Sequence, residues 1–145
     1  MPYRYLEGIS IADVAFEAEG ATPEELFAAA ADATMNVMVE DINSIANKVT
    51  KRIVLRDRDM DLLLFQYLQE LIYFKDAEQL LLRSGRLEIR KEEDGGDFLL
   101  AAELQGEKLD PRRHTQQVDV KAVTLHMFRV QEDDKGWRAT VVLDI

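Results

Sequence analysis

The stretch that decides the fold is residues 85–106, GRLEIRKEEDGGDFLLAAELQG. It contains two runs that read as strands, GRLEIRKEE at 85–93 and DFLLAAELQG at 97–106, which are joined across Asp94-Gly95-Gly96. Asp-Gly and Gly-Gly pairs are typical of tight hairpins because glycine adopts backbone conformations that other residues avoid. We therefore predict two antiparallel strands joined by a turn at this triplet.

Further strands are predicted on both sides of this hairpin. Period-two patterning predicts them at 3–7, 12–20, 48–58, 117–132 and 136–145. The last of these, GWRATVVLDI, keeps its strand pattern up to the final residue. Chain termini are usually loose, so we expect these last residues to have a role within the sheet.

Two segments before position 80 have helical periodicity. The first, at 21–41, begins with Thr22 as N-cap, Pro23 at the first helical position and Glu25 completing a capping box. The second, at 59–79, is apolar around more than half of its circumference, so we predict that it is the more deeply buried helix. These elements predict an α+β fold, with two main helices packed on a mainly antiparallel β-sheet in one domain spanning residues 1–145.

The composition is that of an acidic globular chain. Of its 145 residues 47% are hydrophobic, and 28 acidic against 18 basic residues give a net charge of −10. Such a surface repels phosphate backbones and suits divalent cations or a basic partner, although solubility alone also explains it. We therefore expect no direct binding to nucleic acid. Because the chain has no cysteine, no signal-like N-terminus and no membrane-spanning apolar run, we predict a soluble, cytoplasmic protein without a membrane partner.

The sequence lacks the common catalytic motifs. It has no glycine-rich phosphate loop, no Gly-x-Ser-x-Gly elbow and no His-Glu-x-x-His pair. Its two histidines are predicted to be structural, His114 in the packing of a turn and His126 in a strand. The sequence therefore predicts a protein that is not an enzyme.

The remaining candidates for chemistry are carboxylates. A strand acid among apolar neighbours is costly unless it is paired, hydrogen-bonded or bound to a metal. Several oxygen ligands in one place suit a hard cation. Five residues stand out by position: Asp13 in the apolar run IADVAF, Glu40 and Asp41 after the first helix, and Asp144 and Ile145 at the end of the sequence. From the residues alone, Asp13 could equally pair with an arginine.

Six segments form an ordered set of motifs along the chain. They are YRYLEGISIADV at 3–14, TPEELFA at 22–28 with MVED at 38–41, ELIYFKDAE at 70–78, GEKLDPRRH at 106–114, VKAVTLH at 120–126 and VLDI at 142–145. With these motifs the chain resembles the archease family nearly end to end, and the last three are the most specific. Archease proteins are small accessory proteins of the RNA ligase that seals the halves of spliced tRNA.

The resemblance implies a metal site. In archease-like proteins the acid of the first motif and the final Asp-Ile bind a divalent cation, with the terminal carboxylate contributing. The corresponding residues here are Asp13, Asp144 and Ile145. All-oxygen ligands favour calcium, magnesium or manganese over zinc, and calcium is the ion that we expect first.

The resemblance also implies a partner. It implies that the chain promotes guanylylation and multiple turnover of an RtcB-type RNA ligase, which joins a 2′,3′-cyclic phosphate or 3′-phosphate RNA end to a 5′-hydroxyl. Glu40, Asp41 beside it and Lys121 are implied as additional metal or partner contacts. From the residues alone, Lys121 could instead be a solvated edge lysine paired with Asp119. A general chaperone or protein-binding module stays open, as does a phosphoester hydrolase that uses the same carboxylates around a metal.

The sequence departs from the family beside the predicted metal site. GISI at 8–11 stands in place of the His-Thr pair that precedes the motif acid in the family, which adds two residues. Leu125 stands where the family usually has tyrosine. We expect the insertion to form a bulge or a reshaped loop next to Asp13.

Overall fold

All strand pairs in the described part of the chain are antiparallel. The structure, a computed structural model, describes residues 2–7 and 12–145. Within these residues the strands are β1 (Tyr3–Leu6), β2 (Asp13–Gly20), β3 (Val49–Asp57), β4 (Leu80–Lys91), β5 (Phe98–Lys108), β6 (Ala122–Asp133) and β7 (Gly136–Asp144). The helices are α1 (Pro23–Met38) and α2 (Met60–Glu78), and a short 3₁₀ turn spans Ile42–Ser44. The predicted α+β class with two main helices and antiparallel strands is confirmed.

The described strands divide between two sheets. One sheet has the order β1-β2-β7-β6 and the other the order β3-β5-β4. The predicted hairpin at 85–106 is the β4–β5 pair, closed by a hydrogen bond from the Glu92 N–H to the Asp97 carbonyl at 2.9 Å. Gly95 in this turn has a φ of +74°, a conformation that favours glycine. The β4–β5 hairpin thus lies in the smaller sheet, and the β6–β7 hairpin lies in the larger.

Helix α1 connects the two sheets. It contacts β1, β2 and β7 of the larger sheet and β4 of the smaller one. The Thr22 side chain caps it by accepting a hydrogen bond from the Glu25 N–H at 3.2 Å, as predicted. Asp32 of α1 receives two hydrogen bonds, at 3.0 and 3.1 Å, from the guanidinium of Arg83 in β4. Helix α1 is therefore fixed to both sheets.

The prediction that the second helix is the more deeply buried was wrong. Ten residues of α1 are buried but only six of the longer α2. Leu62 and Tyr73 of α2 remain 37% and 59% exposed. Both helices contact both sheets, but the small alanines of α1 let it pack more closely, whereas α2 leaves part of its surface to solvent. No helix among the described residues is long and apolar enough to cross a membrane.

The last strand is an inner strand of the larger sheet. β7 lies between β2 and β6, and its pairing with β2 is continuous from Gly20 opposite Trp137 to Asp13 opposite Asp144. The expectation that the final residues belong to the sheet is therefore confirmed for the described chain. β6 begins at Ala122 rather than at the predicted position 117. Residues ahead of it are instead engaged by α1, because the Gln117 N–H donates to the Met38 carbonyl at 2.9 Å.

Candidate functional site

The end of the chain is enclosed by strands on both sides. Asp144 lies directly opposite Asp13 on β2 and opposite Ala122 on β6. The N–H of Ile145 extends the β2 pairing by donating to the Ala12 carbonyl at 3.0 Å. Directly opposite residues of an antiparallel pair point to the same face, with Cβ atoms about 4.5–5.5 Å apart. The fold therefore brings together three of the predicted metal ligands, Asp13, Asp144 and Ile145.

These carboxylates have no counter-charge within the part of the chain that the structure describes. We refer to the carboxylates of Asp13, Asp144 and Ile145 as the chain-end carboxylates. Among residues 2–7 and 12–145, no ion pair or side-chain hydrogen bond involves the half-buried Asp13 or Asp144 carboxylate. The arginines, which all lie in this part of the chain, pair with other acids or with none, so the arginine alternative for Asp13 is not realised. Like charges placed opposite each other in a sheet are destabilising, so the arrangement favours an external cation.

The donor set of this site consists of oxygen atoms. Within the described part of the chain no three His, Cys, Asp or Glu side chains lie close enough together to hold an ion. The side chains of Asp13 and Asp144 therefore supply two carboxylates, and the predicted Ile145 carboxylate, backbone carbonyls or water would supply the other oxygen ligands. Such a set fits a hard divalent cation that retains several waters. The insertion at 8–11, predicted to reshape the loop here, lies outside the described residues.

Glu40 and Asp41 are placed in a different local structure. Glu40 is exposed just past α1, and its N–H donates to the Thr115 carbonyl at 2.9 Å. The Asp41 side chain caps the 3₁₀ turn by accepting a hydrogen bond from the Asn43 N–H at 2.9 Å. In the described chain, no hydrogen bond or ion pair connects either residue to the chain-end carboxylates. The structure therefore gives Asp41 a structural contact and does not bring Glu40 into the site.

Lys121 lies next to the chain end, and its ammonium group has no partner among the described residues. Its N–H donates to the Asp144 carbonyl at 2.8 Å, while its side chain is exposed and has no ion pair within residues 2–7 and 12–145. The alternative that Lys121 pairs with Asp119 is wrong, because Asp119 pairs with Lys75 of α2. A solvated lysine here can still reach an anion on a partner.

A buried carboxylate that the sequence did not reveal lies in the GEKLDPRRH motif. Glu107, near the end of β5, is only 3% exposed. Its carboxylate accepts hydrogen bonds from the Arg113 guanidinium, from the Ala46 N–H at 2.7 Å and from His114 at 2.9 Å. We call Glu107, Arg113 and His114 the Glu107 network. It connects β5 to the segment that follows α1, and Arg113 adds a hydrogen bond to the Ser44 carbonyl at 3.1 Å.

The protonation of His114 follows from its neighbours. Its Nδ1 accepts a hydrogen bond from the Asp110 N–H at 2.9 Å, so this nitrogen carries no proton. The proton is then on Nε2, which donates to Glu107. The predicted role of His114 in turn packing is confirmed. His126, in contrast, is exposed on β6, in a stretch where the pairing with β7 is irregular.

The hydrogen bonds determine the charge state of Glu107. The hydrogen bond from Arg113 is the main reason that the pKa of Glu107 falls from 4.5 to about 2, and burial opposes this effect only in part. Glu107 is therefore ionised throughout the physiological pH range. Gly106, which precedes it, admits no side chain because a Cβ there would lie 1.8 Å from the Leu81 carbonyl oxygen. The motif thus encodes the hydrogen bonds of the Glu107 network. The sequence feature that could have indicated this network is an acid inside a strand that is followed by Arg and His.

Comparisons with known proteins give a consistent result. A family model described as the Archease protein family matches residues 3–145. The protein archease of Methanosarcina barkeri is 34% identical over 143 residues, covering 99% of this chain and 95% of that protein. The solution structure of Methanobacterium thermoautotrophicum protein 1598 superposes with a TM-score of 0.84 at 29% identity, covering 99% of both chains. A crystal structure from Thermotoga maritima, described as an archease and possible chaperone, has a TM-score of 0.60 at 20% identity over 97% of both chains and supports the fold alone.

Proposed function

The chain belongs to the archease family, and from this premise we propose that it is an accessory factor that activates an RtcB-type RNA ligase. The proposed activation consists of promoting guanylylation and multiple turnover of the ligase in tRNA splicing or RNA repair. One observation supports this proposal most: the register of β2 and β7 places Asp13 and Asp144 opposite each other, and no counter-charge pairs with them among the described residues. These are the positions at which the family motifs place metal ligands.

We propose that the chain-end carboxylates hold a divalent cation. Calcium fits best because it accepts a variable number of carboxylate, carbonyl and water oxygens, and magnesium or manganese are alternatives. When bound, the cation supplies positive charge that can orient a phosphate group of the ligase or its nucleotide. In this proposal the chain-end carboxylates hold that charge beside Lys121, which adds an exposed ammonium group. Glu40 remains a proposed contact to the partner rather than a ligand at this site.

In this proposal the chain itself catalyses no reaction. Both His114 nitrogens are already hydrogen-bonded, one to the Asp110 N–H and the other to Glu107, and the sequence has no cysteine to act as a nucleophile. A metal-dependent hydrolase would instead turn over phosphoesters on its own, and a general chaperone would suppress aggregation of unrelated proteins without metal. The composition favours a cytoplasmic location.

The proposal is tested by guanylylation of the ligase. Purified RtcB-type ligase is incubated with GTP and cation, with and without the chain, and the covalently bound nucleotide is measured over time. Faster guanylylation with the chain supports the proposal. Hydrolysis of model phosphoesters by the chain alone, or metal-independent suppression of citrate synthase aggregation without any effect on the ligase, would favour the other two functions.

Lys121→Met is expected to retain the fold but to reduce ligase stimulation by roughly tenfold, the effect of losing one charge-assisted hydrogen bond. The side chain is exposed and unpaired within the described residues, so its loss leaves the melting temperature nearly unchanged. The matched control is Lys135→Met, because Lys135 is an exposed lysine in the β6–β7 turn at the other end of β7. Equal ligase stimulation by the two variants would show that Lys121 is a solvated edge lysine without a role in activation.

The isolated chain is expected not to bind RNA at physiological salt. Its net charge is −10, and the arginines on the outer face of the smaller sheet are mostly neutralised. Arg52, Arg56 and Arg86 of this face each pair with a glutamate, at distances between 2.9 and 3.4 Å. RNA affinity depends on clustered basic groups that release counterions. A gel shift at sub-micromolar protein concentration would contradict this prediction.

A further inference from the structure

A lysine of α2 is almost completely enclosed beside the chain end. The Lys75 side chain is only 11% exposed, and its ammonium group donates to Asp119 and to Asp76, the latter at 2.8 Å. It also donates to the carbonyl of Val120 at 2.9 Å. An ammonium group has three protons, so these three acceptors use its full hydrogen-bonding capacity.

The charge of Lys75 is retained in this enclosed position. Burial alone lowers the pKa of the ammonium group, but the hydrogen bonds to Asp119 and Asp76 outweigh it, and the net pKa lies above the ordinary 10.5. Asp119 and Asp76 are mostly exposed, with side chains 69% and 57% accessible. The lysine is therefore the enclosed member of the cluster, and its hydrogen bond to the Val120 carbonyl is one that solvent does not easily replace.

The contact to Val120 acts on the peptide group that faces the chain end. The carbonyl of Val120 and the N–H of Lys121 belong to the same planar unit. Lys75 holds the carbonyl side of this unit, and the N–H side donates to the Asp144 carbonyl at 2.8 Å. The unit lies just ahead of β6, and within residues 2–7 and 12–145 no backbone N–H donates to its carbonyl. The Val120 side chain is buried, the bond to Asp144 restrains the peptide plane on its N–H side, and Lys75 restrains it on its carbonyl side.

We propose that Lys75 is a positioning residue for Lys121. By fixing the peptide plane between Val120 and Lys121, it sets the direction in which the Lys121 ammonium group leaves the backbone beside the chain-end carboxylates. The consequence for ligase activation rests on the proposed function, but the positioning itself is a property of the isolated chain. Asp13 and Asp144 are held to each other by the β2–β7 register, so their cation affinity does not depend on Lys75.

The first test is amide hydrogen exchange of the isolated chain by NMR. In Lys75→Met, exchange of the Lys121 N–H is expected to be about tenfold faster, the factor for losing one hydrogen bond to a charged group that opposes local opening. Amides of β5 are expected to exchange at unchanged rates. The matched control is Lys51→Met, which removes another lysine that pairs with α2, through Glu78 at 3.2 Å. Lys75→Arg keeps the charge and the donors, so its exchange is expected to be closer to that of the unmodified chain than to that of Lys75→Met.

The second test separates positioning from cation binding. Lys75→Met is expected to lower ligase stimulation about as much as Lys121→Met while leaving calorimetric calcium affinity unchanged within about twofold. Equal exchange of the Lys121 N–H in Lys75→Met and Lys51→Met would overturn the inference, whatever the ligase assay gives. If Lys75→Met does not fold, the test is made with Lys75→Arg. Exchange of the Lys121 N–H in Lys75→Arg at the rate of an unstructured peptide would then overturn the inference. Failure of the unmodified chain to stimulate the ligase would overturn the proposed function but not the positioning.

Discussion

Asp13→Asn and Asp144→Asn are each expected to remove the stabilisation of the chain by divalent cations. A cation held by the chain-end carboxylates stabilises the fold by about 2.7 kcal/mol when free metal is a hundredfold above its dissociation constant. For a chain of this size that is a rise in melting temperature of roughly 5–10 °C. In metal-free buffer both variants should be as stable as the unmodified chain or more so, because each removes one of two facing like charges.

The measurement is a thermal melt with calcium, magnesium or manganese, followed by calorimetric titration. Asp134→Asn is the matched control, since Asp134 is an exposed acid in the β6–β7 turn, at the other end of the same strand. It should keep the full metal-induced rise. A rise of equal size in Asp144→Asn would show that the cation binds elsewhere.

Two glycines added after Ile145 test the same site through the backbone. The extension converts the terminal carboxylate into a neutral amide and moves the new carboxylate away by about 3.3 Å for each added residue. Cation affinity is therefore expected to fall while the β2–β7 pairing and the metal-free melting temperature stay unchanged. Undiminished affinity would mean that Asp13 and Asp144, with backbone and water oxygens, are sufficient.

Glu107→Ala is expected to lower the free energy of unfolding by about 3 kcal/mol, or the melting temperature by roughly 10 °C. The substitution leaves the Ala46 N–H and the His114 ring nitrogen without their acceptor in a buried place. The control is Glu103→Ala, which removes a carboxylate of the same strand that faces outward and pairs with the exposed Arg52. Surface pairs of this kind contribute about 0–1 kcal/mol, so a similar loss in both variants would contradict the role of the Glu107 network.

The Glu107 network also predicts how stability depends on pH. The pKa of Glu107 is about 2 in the folded protein and 4.5 in the ordinary state expected for the unfolded chain. The unfolded chain therefore takes up the proton first, and the stabilisation is complete above about pH 4.5 and is lost as the pH falls toward 2. The difference in melting temperature between the unmodified chain and Glu107→Gln should be constant from pH 7 to 5 and shrink below pH 4. A constant difference down to pH 2.5 would contradict the lowered pKa.

The local features of this fold could be predicted from the sequence because their signals are local. The cap at Thr22 and the hairpin at Gly95 depend on residues within four positions of each other. The division into two sheets depends on which hairpins associate, and no short pattern encodes that. The greater burial of α1 likewise comes from its small alanines, which allow close packing against its neighbours, whereas apolar content alone had favoured α2.

The candidate site could be predicted only in part, and mainly through the family resemblance. Asp13 and Asp144 face each other because β2 and β7, which are far apart in the sequence, are neighbours in the sheet. The spacing of residues along the sequence does not predict which strands become neighbours. In the sequence Glu40 was as good a candidate ligand as these two acids. In the structure it lies just past α1, where its N–H donates to the Thr115 carbonyl instead. The sequence did not indicate a role for Lys75, because lysines are common near the C-termini of helices. Its role follows from the segment that packs against it, which the sequence does not show.

The central claim is that this chain activates an RtcB-type ligase through the carboxylates at its own end. The most direct measurement is multiple-turnover ligation of RNA ends bearing a 3′-phosphate and a 5′-hydroxyl, with the ligase of the same source limiting and the cation fixed. Turnover beyond one product per ligase should require the unmodified chain, and Asp144→Asn should give no more product than ligase alone. Equal turnover with and without the chain, or full activation by Asp144→Asn, would contradict the claim.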